Sequence, residues 1–259
     1  MSLDIRIKYG SMHLWEAVRE GLTMYITQDY SKYTPENHQV WTTLYERRLP
    51  ALRETACSAF LEGLDHIGLD SRHVPNLADV NARLKPMTGW QACPVPGYIP
   101  ARDFFLSLSE RKFPTTITVR PMQQLDYLPE PDIFHDVFGH VPLHSHPVFA
   151  DFLQHYGQIA YHTHNEQELT ELARLFWFTV EFGLIREKGK IKLFGSGLMS
   201  SCGEGPHALS DKTEKRNFDL KQVVNTPFEI DHYQPLLYVI DSFDQLYDAV
   251  REWSGVHAQ

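Results

Sequence analysis

The sequence predicts a mostly α-helical domain with a minor β element, and three observations support this fold class. The chain has 259 residues, 42% of them hydrophobic and 12% aromatic, which is enough apolar material for one sizeable core. Apolar residues recur at helical spacing over long segments, whereas runs of β-branched residues are short. The sequence contains no internal repeat, low-complexity tract or Gly/Ser linker that would mark a boundary. We therefore expect a single domain.

The first half of the chain is predicted to contain a long helix, a loop and a strand. Apolar residues at helical spacing predict a helix over residues 36–61, which Pro50 should kink or split. Residues 87–100 are rich in Pro and Gly, which predicts an extended loop that can line a pocket. The β-branched run within residues 113–120 predicts a short strand.

The second half is predicted to contain two further helices and one strand. Residues 170–185 lack Gly and Pro until Gly183, so we expect one long buried helix there. A short strand is expected at residues 191–194. Apolar residues at helical spacing predict another helix over residues 242–253.

Charge and cysteine content narrow the classes of function. The net charge is −9 at pH 7, and Lys and Arg are scattered, so nucleic acid and anionic membranes are not expected partners. No segment approaches the roughly 20 apolar residues of a membrane span. The three cysteines are odd in number and far apart, which argues against a disulfide framework or a zinc ribbon. We expect a cytoplasmic protein.

Two of the fourteen histidines lie in a segment that is suited to burial. His135 and His140 stand among Phe and Val residues within residues 129–142. Buried imidazoles need partners. Those partners are either a shared metal ion or, if the histidines belong to the core, backbone carbonyls and the carboxylates of Asp132 and Asp136.

The spacing of these histidines requires a break in the helix if both are to reach one ion. On an unbroken α-helix, residues five apart point roughly 140° away from each other. Pro131 suits the first turn of a helix and Gly139 suits its end. We therefore expect His135 on a short helix and His140 just past its end.

Glu181 is a carboxylate in an apolar setting. Burying an unpaired carboxylate is prohibitive, so it should be neutral, paired with a cation or bound to metal. The alternative partner, Arg174, lies on the same predicted face but roughly 10 Å away along the helix axis. Ligation is therefore favoured over an ion pair. The residues three or four positions away on the predicted helix are Trp177, Phe178, Leu184 and Ile185.

Two histidines and one carboxylate form the facial triad of non-haem Fe(II) oxygenases, which leaves coordination positions open. A zinc hydrolase is the main alternative, because similar ligands bind catalytic zinc. Asp136 follows His135, but the helical HExxH pattern is missing. A third alternative is a non-catalytic protein with a structural metal or a core histidine cluster. Two other pairs, which we interpret as surface loop residues, are His144 with His146 and His162 with His164.

Around these residues the sequence resembles the pterin-dependent aromatic amino acid hydroxylases, most of all their bacterial phenylalanine-hydroxylating members. The resemblance runs from about Asp29 to Trp253 and follows an ordered series of motifs. These are WTTLYERR from Trp41, LKPMTGW from Leu84, residues 129–143, FTVEFGL from Phe178 and GSGLMSS from Gly195. It implies a catalytic domain at residues 29–259, with residues 1–28 as an extension packed on it or leading into it.

The resemblance implies a phenylalanine 4-monooxygenase that uses O2 and tetrahydrobiopterin, or a related tetrahydropterin, at a non-haem Fe(II) centre. The implied iron ligands are His135, His140 and Glu181, the same three residues that the chemistry of the side chains indicates. Phe104 is implied to stack on the pterin ring, as suits a flat cofactor. The other implied pterin contacts are Gly97, Tyr98, Ile99, Ala101 and Asp136.

The resemblance also implies a substrate site. Arg120 would hold the carboxylate of L-phenylalanine, with Asp132 fixing the guanidinium from the opposite side. Ser200 would brace an iron-bound histidine. The remaining implied substrate residues are Pro131 and Trp177 as walls for the ring, with Gly197 and Ser201 near the substrate backbone.

The resemblance also bears on substrate preference, through two positions. Trp177 matches hydroxylases of phenylalanine and tyrosine, and Ile230 stands where tyrosine hydroxylases have an Asp. An apolar residue suits a ring without a hydroxyl group, so we expect preference for phenylalanine. Because neither a regulatory domain nor a long tetramerisation segment is matched, we expect a monomer or homodimer without allosteric control.

Overall fold

The computed structural model describes residues 24–97, 99–126, 131–228, 230 and 232–257. Helices account for about 59% of the structure and strands for about 12%, in one domain, which confirms the predicted fold class. Within the described ranges, no helix is long and apolar enough to cross a membrane. The α-helices are α1 (Pro35–Thr55), α2 (Ser58–His66), α3 (Leu77–Thr88), α4 (Ala101–Ser109), α5 (Pro147–His162), α6 (Glu166–Phe176), α7 (Ser196–Ser200), α8 (Glu204–Leu209), α9 (Leu220–Asn225) and α10 (Phe243–His257).

Helix α1 begins at a capping box and continues past its proline. The Asn37 N–H donates to Thr34 Oγ1 (3.3 Å), and the Thr34 N–H donates to Asn37 Oδ1 (3.0 Å). Pro50 lies on an exposed face inside the helix, so the predicted split at this residue was wrong, whereas the alternative, a kink, stays a prediction. The helix ends instead at Thr55, because the next two residues pair with a strand. The N–H of Cys57 donates to the Leu193 carbonyl (2.8 Å).

The strands form two small sheets. One is a parallel pair of β1 (Gln91–Val95) and β2 (Lys112–Thr116). The other has the order β4-β3-β6-β5, in which β3 and β4 form an antiparallel hairpin and the remaining pairs are parallel. The predicted strand at residues 191–194 is confirmed as β4. The strands of this second sheet are β3 (Leu184–Glu187), β4 (Lys190–Leu193), β5 (Glu214–Asn217) and β6 (Leu236–Ile240).

The segment predicted as an extended loop is partly regular. Its first two residues end α3, and its middle is strand β1. Prolines are tolerated in β1 and β2 because each strand lies at an edge of the two-stranded sheet. The Asn81 side chain forms two hydrogen bonds with Ala92 of β1. Asn81 Nδ2 donates to the Ala92 carbonyl (2.9 Å), and the Ala92 N–H donates to Asn81 Oδ1 (2.7 Å). The predicted strand within residues 113–120 is also displaced, since β2 ends at Thr116.

Two π-helical segments replace regular helix where the sequence had predicted α-helix. The first, Phe134–His140, contains both histidines and continues into a 3-10 helix at Val141–Ser145. The second, Trp177–Glu181, follows α6 directly. The long helix predicted over residues 170–185 therefore ends at Glu181, and Leu184 and Ile185 belong to β3 rather than to the helical face of Glu181.

Aromatic residues anchor the first π-helical segment in the core. The rings of Phe134 and Phe138 stack at 4.6 Å, and both side chains are almost fully buried. Phe138 also meets Tyr45 of α1 and Phe60 of α2 edge-on, at 5.2 and 5.8 Å. Burial of each phenylalanine stabilises this packing by roughly 1.5–3 kcal/mol. The segment is thus fixed against α1 and α2.

Residues 24–28 of the predicted extension contact the domain. The Ile26 N–H donates to the Pro94 carbonyl (2.9 Å), and the Tyr25 hydroxyl donates to Ser107 Oγ (2.8 Å). The rest of the predicted extension lies outside the described residues. The division into an extension and a catalytic domain stays a prediction.

Candidate metal centre and adjoining pocket

The structure brings His135, His140 and Glu181 together. One donor atom from each of these residues lies within 4.8 Å of the others. The two Nε2 atoms are 3.2 Å apart, and His140 Nε2 is 3.3 Å from Glu181 Oε1. His135 Nε2 is 3.7 Å from Glu181 Oε2. The residues predicted from the sequence to share a metal therefore form one cluster.

The π-helical geometry explains how histidines five residues apart converge. A π-helix closes hydrogen bonds between residues i and i+5, so side chains at this spacing lie on the same face. The prediction that Gly139 ends a helix and His140 lies beyond it was wrong, because Gly139 is inside the π-helical segment. Its role is close packing instead. A Cβ at Gly139 would lie 3.0 Å from the Ser196 carbonyl oxygen.

Ser200 fixes the tautomer of His135. The Ser200 hydroxyl donates its proton to the Ser196 carbonyl (2.9 Å), so towards His135 Nδ1, 2.9 Å away, it acts as an acceptor. His135 then carries its proton on Nδ1 and directs the lone pair of Nε2 towards His140 and Glu181. A neutral imidazole with this tautomer is the form that binds metal.

Glu181 is buried beside the two imidazoles and is held by a serine. Its side chain is 10% exposed, and Oε2 accepts a hydrogen bond from Ser196 Oγ at 2.7 Å. The alternative partner considered from the sequence, Arg174, donates to the Val224 carbonyl (2.9 Å). An ion pair between Arg174 and Glu181 is therefore not the explanation for the buried carboxylate.

This donor set fits a divalent cation. His135 presents a nitrogen lone pair and Glu181 presents a carboxylate in a site with little access to water, where such groups gain by binding a cation. Two nitrogens and one oxygen suit iron(II), and they also suit zinc. The three residues come from the two π-helical segments, and two of them, His140 and Glu181, also line an adjoining pocket.

A pocket opens directly beside His140 and Glu181. Strands β1 and β2 supply one wall, the start of α4 supplies another, and Pro131 and Asp136 also line the pocket. Asp136 is buried, and its Oδ2 accepts a hydrogen bond from the Thr116 N–H (2.8 Å). The lining residues are Val95, Gly97, Ile99, Phe104, Phe113, Pro114, Thr116, Pro131, Asp136, His140 and Glu181.

Most of the residues predicted to contact the pterin line this pocket. Gly97, Ile99, Phe104 and Asp136 are among its walls, whereas Ala101 lies at the first turn of α4 and is not part of the lining. Tyr98 lies outside the described residues. Gly97 has φ near 158°, and no atom of the described residues beyond its chain neighbours lies within 4 Å of where its Cβ would be. The backbone is therefore open to close approach by a flat ligand at this point.

Arg120 and Asp132 form a buried pair at the base of the first π-helical segment. Asp132 also accepts a hydrogen bond from the backbone N–H of His135 (3.1 Å). The pair therefore links the guanidinium to the segment that carries two of the metal-binding candidates. The predicted contact between these two residues is present in the structure, whereas their role towards a substrate stays a prediction.

The other predicted substrate residues make contacts in different parts of the structure. The Trp177 ring stacks on Phe228 at 4.3 Å, and its Nε1 donates to Gln234 Oε1 (3.1 Å). Ser201 Oγ accepts hydrogen bonds from the first turn of α8. Gly197 allows close packing, since a Cβ there would lie 2.9 Å from the Phe182 ring. Ile230 is 60% exposed.

The interpretation of His144 as a surface loop residue was wrong. His144 lies in the 3-10 helix after His140 and is fully buried. Its ring lies 4.6 Å from Trp90 and 4.9 Å from Phe113. His146, its supposed partner, instead caps α5 by accepting from the Phe149 N–H (3.4 Å). The other pair, His162 and His164, is exposed as expected, although His162 is the last residue of α5 rather than a loop residue.

Sequence reasoning missed several residues that shape the site. Ser196 contacts Glu181, the Thr116 N–H holds Asp136, and Phe228 covers Trp177. The motif GSGLMSS offered a signal for Ser196, because a run of small residues permits close approach of backbones. Thr116 contributes only its backbone here, so its side chain gave no signal.

Comparison with known proteins assigns the family. The model of the biopterin-dependent aromatic amino acid hydroxylases matches residues 26–258. The chain belongs to this family. Among curated members, it is 44% identical to the phenylalanine-4-hydroxylase of Chromobacterium violaceum over 225 residues, which covers 86% of this chain and 76% of that protein.

Solved structures of hydroxylases from this family share the fold. One, of C. violaceum phenylalanine hydroxylase with bound iron(III) and 7,8-dihydrobiopterin, has a TM-score of 0.86 at 40% identity and covers 96% of this chain and 94% of that chain. Another, with iron and phenylalanine bound, has a TM-score of 0.84 at 40% identity and covers 91% and 88% of the two chains. Sequence identity and structural similarity to these hydroxylases therefore both extend over nearly the whole of this chain.

Proposed function

We propose that this chain is a phenylalanine 4-monooxygenase that converts L-phenylalanine and O2 into L-tyrosine with a tetrahydropterin as reductant. The observation that carries the proposal is the cluster of His135, His140 and Glu181 at the end of a pocket, in a chain that belongs to the aromatic amino acid hydroxylases. The C. violaceum relatives with the same fold hold iron, 7,8-dihydrobiopterin and phenylalanine. Bound iron, pterin and phenylalanine in relatives that share this fold support the same chemistry here.

The cluster would hold iron(II) through His135, His140 and Glu181. Iron(II) bound in this way supplies the activation of O2, and the tetrahydropterin supplies two electrons. The protein fixes the ligands in advance. Ser200 sets the tautomer of His135, and Ser196 is bonded to Glu181. Both serines belong to α7, so one short helix braces two of the three ligands.

The pocket residues would orient the pterin. Phe104 is a buried aromatic residue at the wall and offers a face or an edge to a flat ring. The backbone at Gly97 permits close approach. Asp136, whose carboxylate is fixed by the Thr116 N–H, can accept a hydrogen bond from an N–H group of the pterin.

Arg120 would bind the carboxylate of the substrate. A guanidinium has five N–H donors, and the contacts to Asp132 and to the Leu125 carbonyl use three of them among the described residues. Two donors remain, on adjacent nitrogens, which suits bidentate binding of a carboxylate. Pro131 and Trp177 would then flank the aromatic ring of the substrate.

The proposed activity is tested by anaerobic reconstitution with Fe(II), followed by addition of O2, tetrahydropterin and L-phenylalanine. We expect tyrosine to form only when iron and pterin are both present, and Glu181→Ala to abolish it. Glu46→Ala, which removes an exposed carboxylate from α1, serves as the control and should retain activity. If the wild type hydroxylates none of phenylalanine, tyrosine and tryptophan, the proposal is wrong, and assays for a zinc hydrolase follow.

We also propose that the protein works as a monomer or homodimer. This expectation rests on the sequence alone. Light scattering coupled to size-exclusion chromatography measures the mass directly, and a tetramer would contradict it.

A further inference from the structure

Ser196 occupies a position at the metal cluster that the resemblance to the hydroxylases does not explain. It is the first residue of α7 and is 1% exposed. Its hydroxyl donates to Glu181 Oε2 at 2.7 Å, which is shorter than the distances from the Glu181 carboxylate to His135 Nε2 and His140 Nε2. This hydroxyl is therefore directed at the metal-binding carboxylate.

The hydrogen bond from Ser196 reaches Oε2 of Glu181 rather than Oε1. Oε2 accepts the serine proton and lies 3.7 Å from His135 Nε2, whereas Oε1 lies 3.3 Å from His140 Nε2. A hydrogen bond to one oxygen fixes the rotation of the carboxylate plane. It therefore distinguishes the two oxygens before any cation binds.

The position of Ser196 is determined by packing on several sides. A Cβ at Gly139 would approach the Ser196 carbonyl and side chain at 3.0 and 3.3 Å, so Gly139 brings the π-helical segment against this serine. Arg48, a buried residue of α1, donates to the carbonyls of Leu198 (2.9 Å) and Met199 (2.8 Å) in the same short helix. Helix α7 is thus held against α1, and the hydroxyl has little freedom to move away from Glu181.

We propose that Ser196 is a positioning residue for Glu181, which holds Oε2 so that the carboxylate presents Oε1 to a bound divalent cation. This inference rests on the proposed function, because it requires Glu181 to be a metal ligand. Residues that orient ligands in this way typically contribute 10–100-fold to metal affinity. Without the hydroxyl, the carboxylate can rotate, and both oxygens compete for the cation.

The test uses Co(II) binding to the metal-free full-length protein, because cobalt reports its coordination geometry by visible absorption. We compare the wild type with Ser196→Ala and with Ser145→Ala. Ser145 is a suitable control because it is also buried, at 4% exposed, and its hydroxyl donates to the Pro142 carbonyl (2.7 Å) rather than to a ligand. Circular dichroism of the metal-free proteins establishes that each variant folds.

We expect Ser196→Ala to raise the Kd for Co(II) about 10–100-fold and to alter the absorption bands of the bound ion. Ser145→Ala should leave both unchanged. Ser196→Thr keeps the hydroxyl donor, so its Kd should stay near that of the wild type. Ser196→Gly, which also lacks the hydroxyl, replaces Ser196→Ala in the test if the alanine variant does not fold.

The role of Ser196 is refuted if Ser196→Ala and Ser145→Ala bind Co(II) with the same Kd and spectrum. It is also refuted if both variants lose affinity equally, since a general effect of buried hydroxyl loss would then explain the result. Glu181→Ala separates this outcome from failure of the proposed function. If that variant binds Co(II) as the wild type does, Glu181 is not a ligand and the metal site itself is wrong.

Discussion

Asp132 binds Arg120 through both of its carboxylate oxygens. Arg120 Nε donates to Oδ2 at 2.9 Å and Nη2 donates to Oδ1 at 2.8 Å. The two side chains are 2% and 9% exposed, so the pair is shielded from water. Because Asp132 Oδ1 also accepts from the His135 N–H, the guanidinium is fixed relative to the metal cluster. A substrate carboxylate bound by Arg120 would therefore have a defined distance from the metal.

Asp132→Asn should weaken substrate binding more than it slows turnover. The oxygen of the asparagine amide can accept a hydrogen bond from the guanidinium, but its NH2 group cannot. Arg120 therefore loses one of the two contacts that orient it, and its buried charge loses its counter-ion. We expect the KM for L-phenylalanine to rise at least about tenfold, and stability to fall by roughly 3–5 kcal/mol. Steady-state kinetics and urea unfolding measure these effects.

Asp126→Asn is the matched control for this prediction. Asp126 pairs with Arg47 at 3.3 Å, but its side chain is 87% exposed, so the pair should contribute only about 0–1 kcal/mol. The KM of the control should equal that of the wild type. An unchanged KM in Asp132→Asn would show that the pair does not position the substrate.

Ile230→Asp should shift substrate preference away from phenylalanine. Ile230 is 60% exposed, so the substitution should cost little stability. An aspartate favours a ring that carries a hydroxyl group, and a change of roughly 1–3 kcal/mol in discrimination is expected. The measurement is the ratio of kcat/KM for phenylalanine over tyrosine. Ile230→Asn controls for size, and an equal ratio in wild type and Ile230→Asp would contradict the expectation.

The sequence predicted the long elements well because their signals are local. Apolar residues at helical spacing predicted the start of α1 and most of α10, and Ile191 and its neighbours predicted β4. The end of α1 was not predictable in the same way. It depends on the pairing of Cys57 with Leu193, which are far apart in the sequence. The proline at position 50 looked like the stronger signal, yet its ring simply lies on the exposed face.

The candidate metal ligands were predictable, whereas the backbone that brings them together was not. Histidines in an apolar segment and a carboxylate among aromatic residues are anomalies that can be read directly from the sequence. The π-helical conformation at His135 and His140 depends on packing of Phe134 and Phe138 against α1 and α2 and of Gly139 against Ser196. Such contacts are tertiary, and the α-helical pattern of the same residues hides them.

Gly139→Ala should damage the metal site by displacing α7. The added Cβ would lie 3.0 Å from the Ser196 carbonyl oxygen, so the two segments must move apart. Overpacking of this kind typically costs about 1–3 kcal/mol. We expect lower unfolding free energy and weaker binding of Fe(II).

Gly255→Ala provides the control for this glycine. Gly255 lies in α10, and no described atom lies within 4 Å of the position that an alanine Cβ would take, so alanine should stabilise the helix by up to about 1 kcal/mol. The two substitutions should therefore change stability in opposite directions. Equal stability and equal Fe(II) affinity in Gly139→Ala and wild type would contradict the close-packing role.

His144 should make the protein less stable in mild acid. Neither of its ring nitrogens has a hydrogen-bond partner among the described residues. Burial, followed by the neighbouring His140, holds the pKa of His144 well below its usual value of 6.5. The unfolded chain therefore takes up a proton near pH 6.5 while the folded chain does not. Stability is retained above pH 6.5 and falls below it, with a slope of at most about 1.4 kcal/mol per pH unit for this group.

His144→Phe should remove both the unpaired nitrogens and this part of the pH dependence. The ring already packs against Trp90 and Phe113, so phenylalanine fits the chemistry of the site, and we expect a gain of roughly 1–3 kcal/mol. Urea unfolding of the metal-free protein at pH 8 and at pH 5.5 measures the effect. The gain in unfolding free energy should be larger at pH 5.5. The control His162→Gln, at an exposed histidine, should change the unfolding free energy by at most about 0.5 kcal/mol. If the difference in unfolding free energy between the variant and the wild type is the same at both pH values, proton uptake by His144 does not differ between the folded and unfolded states.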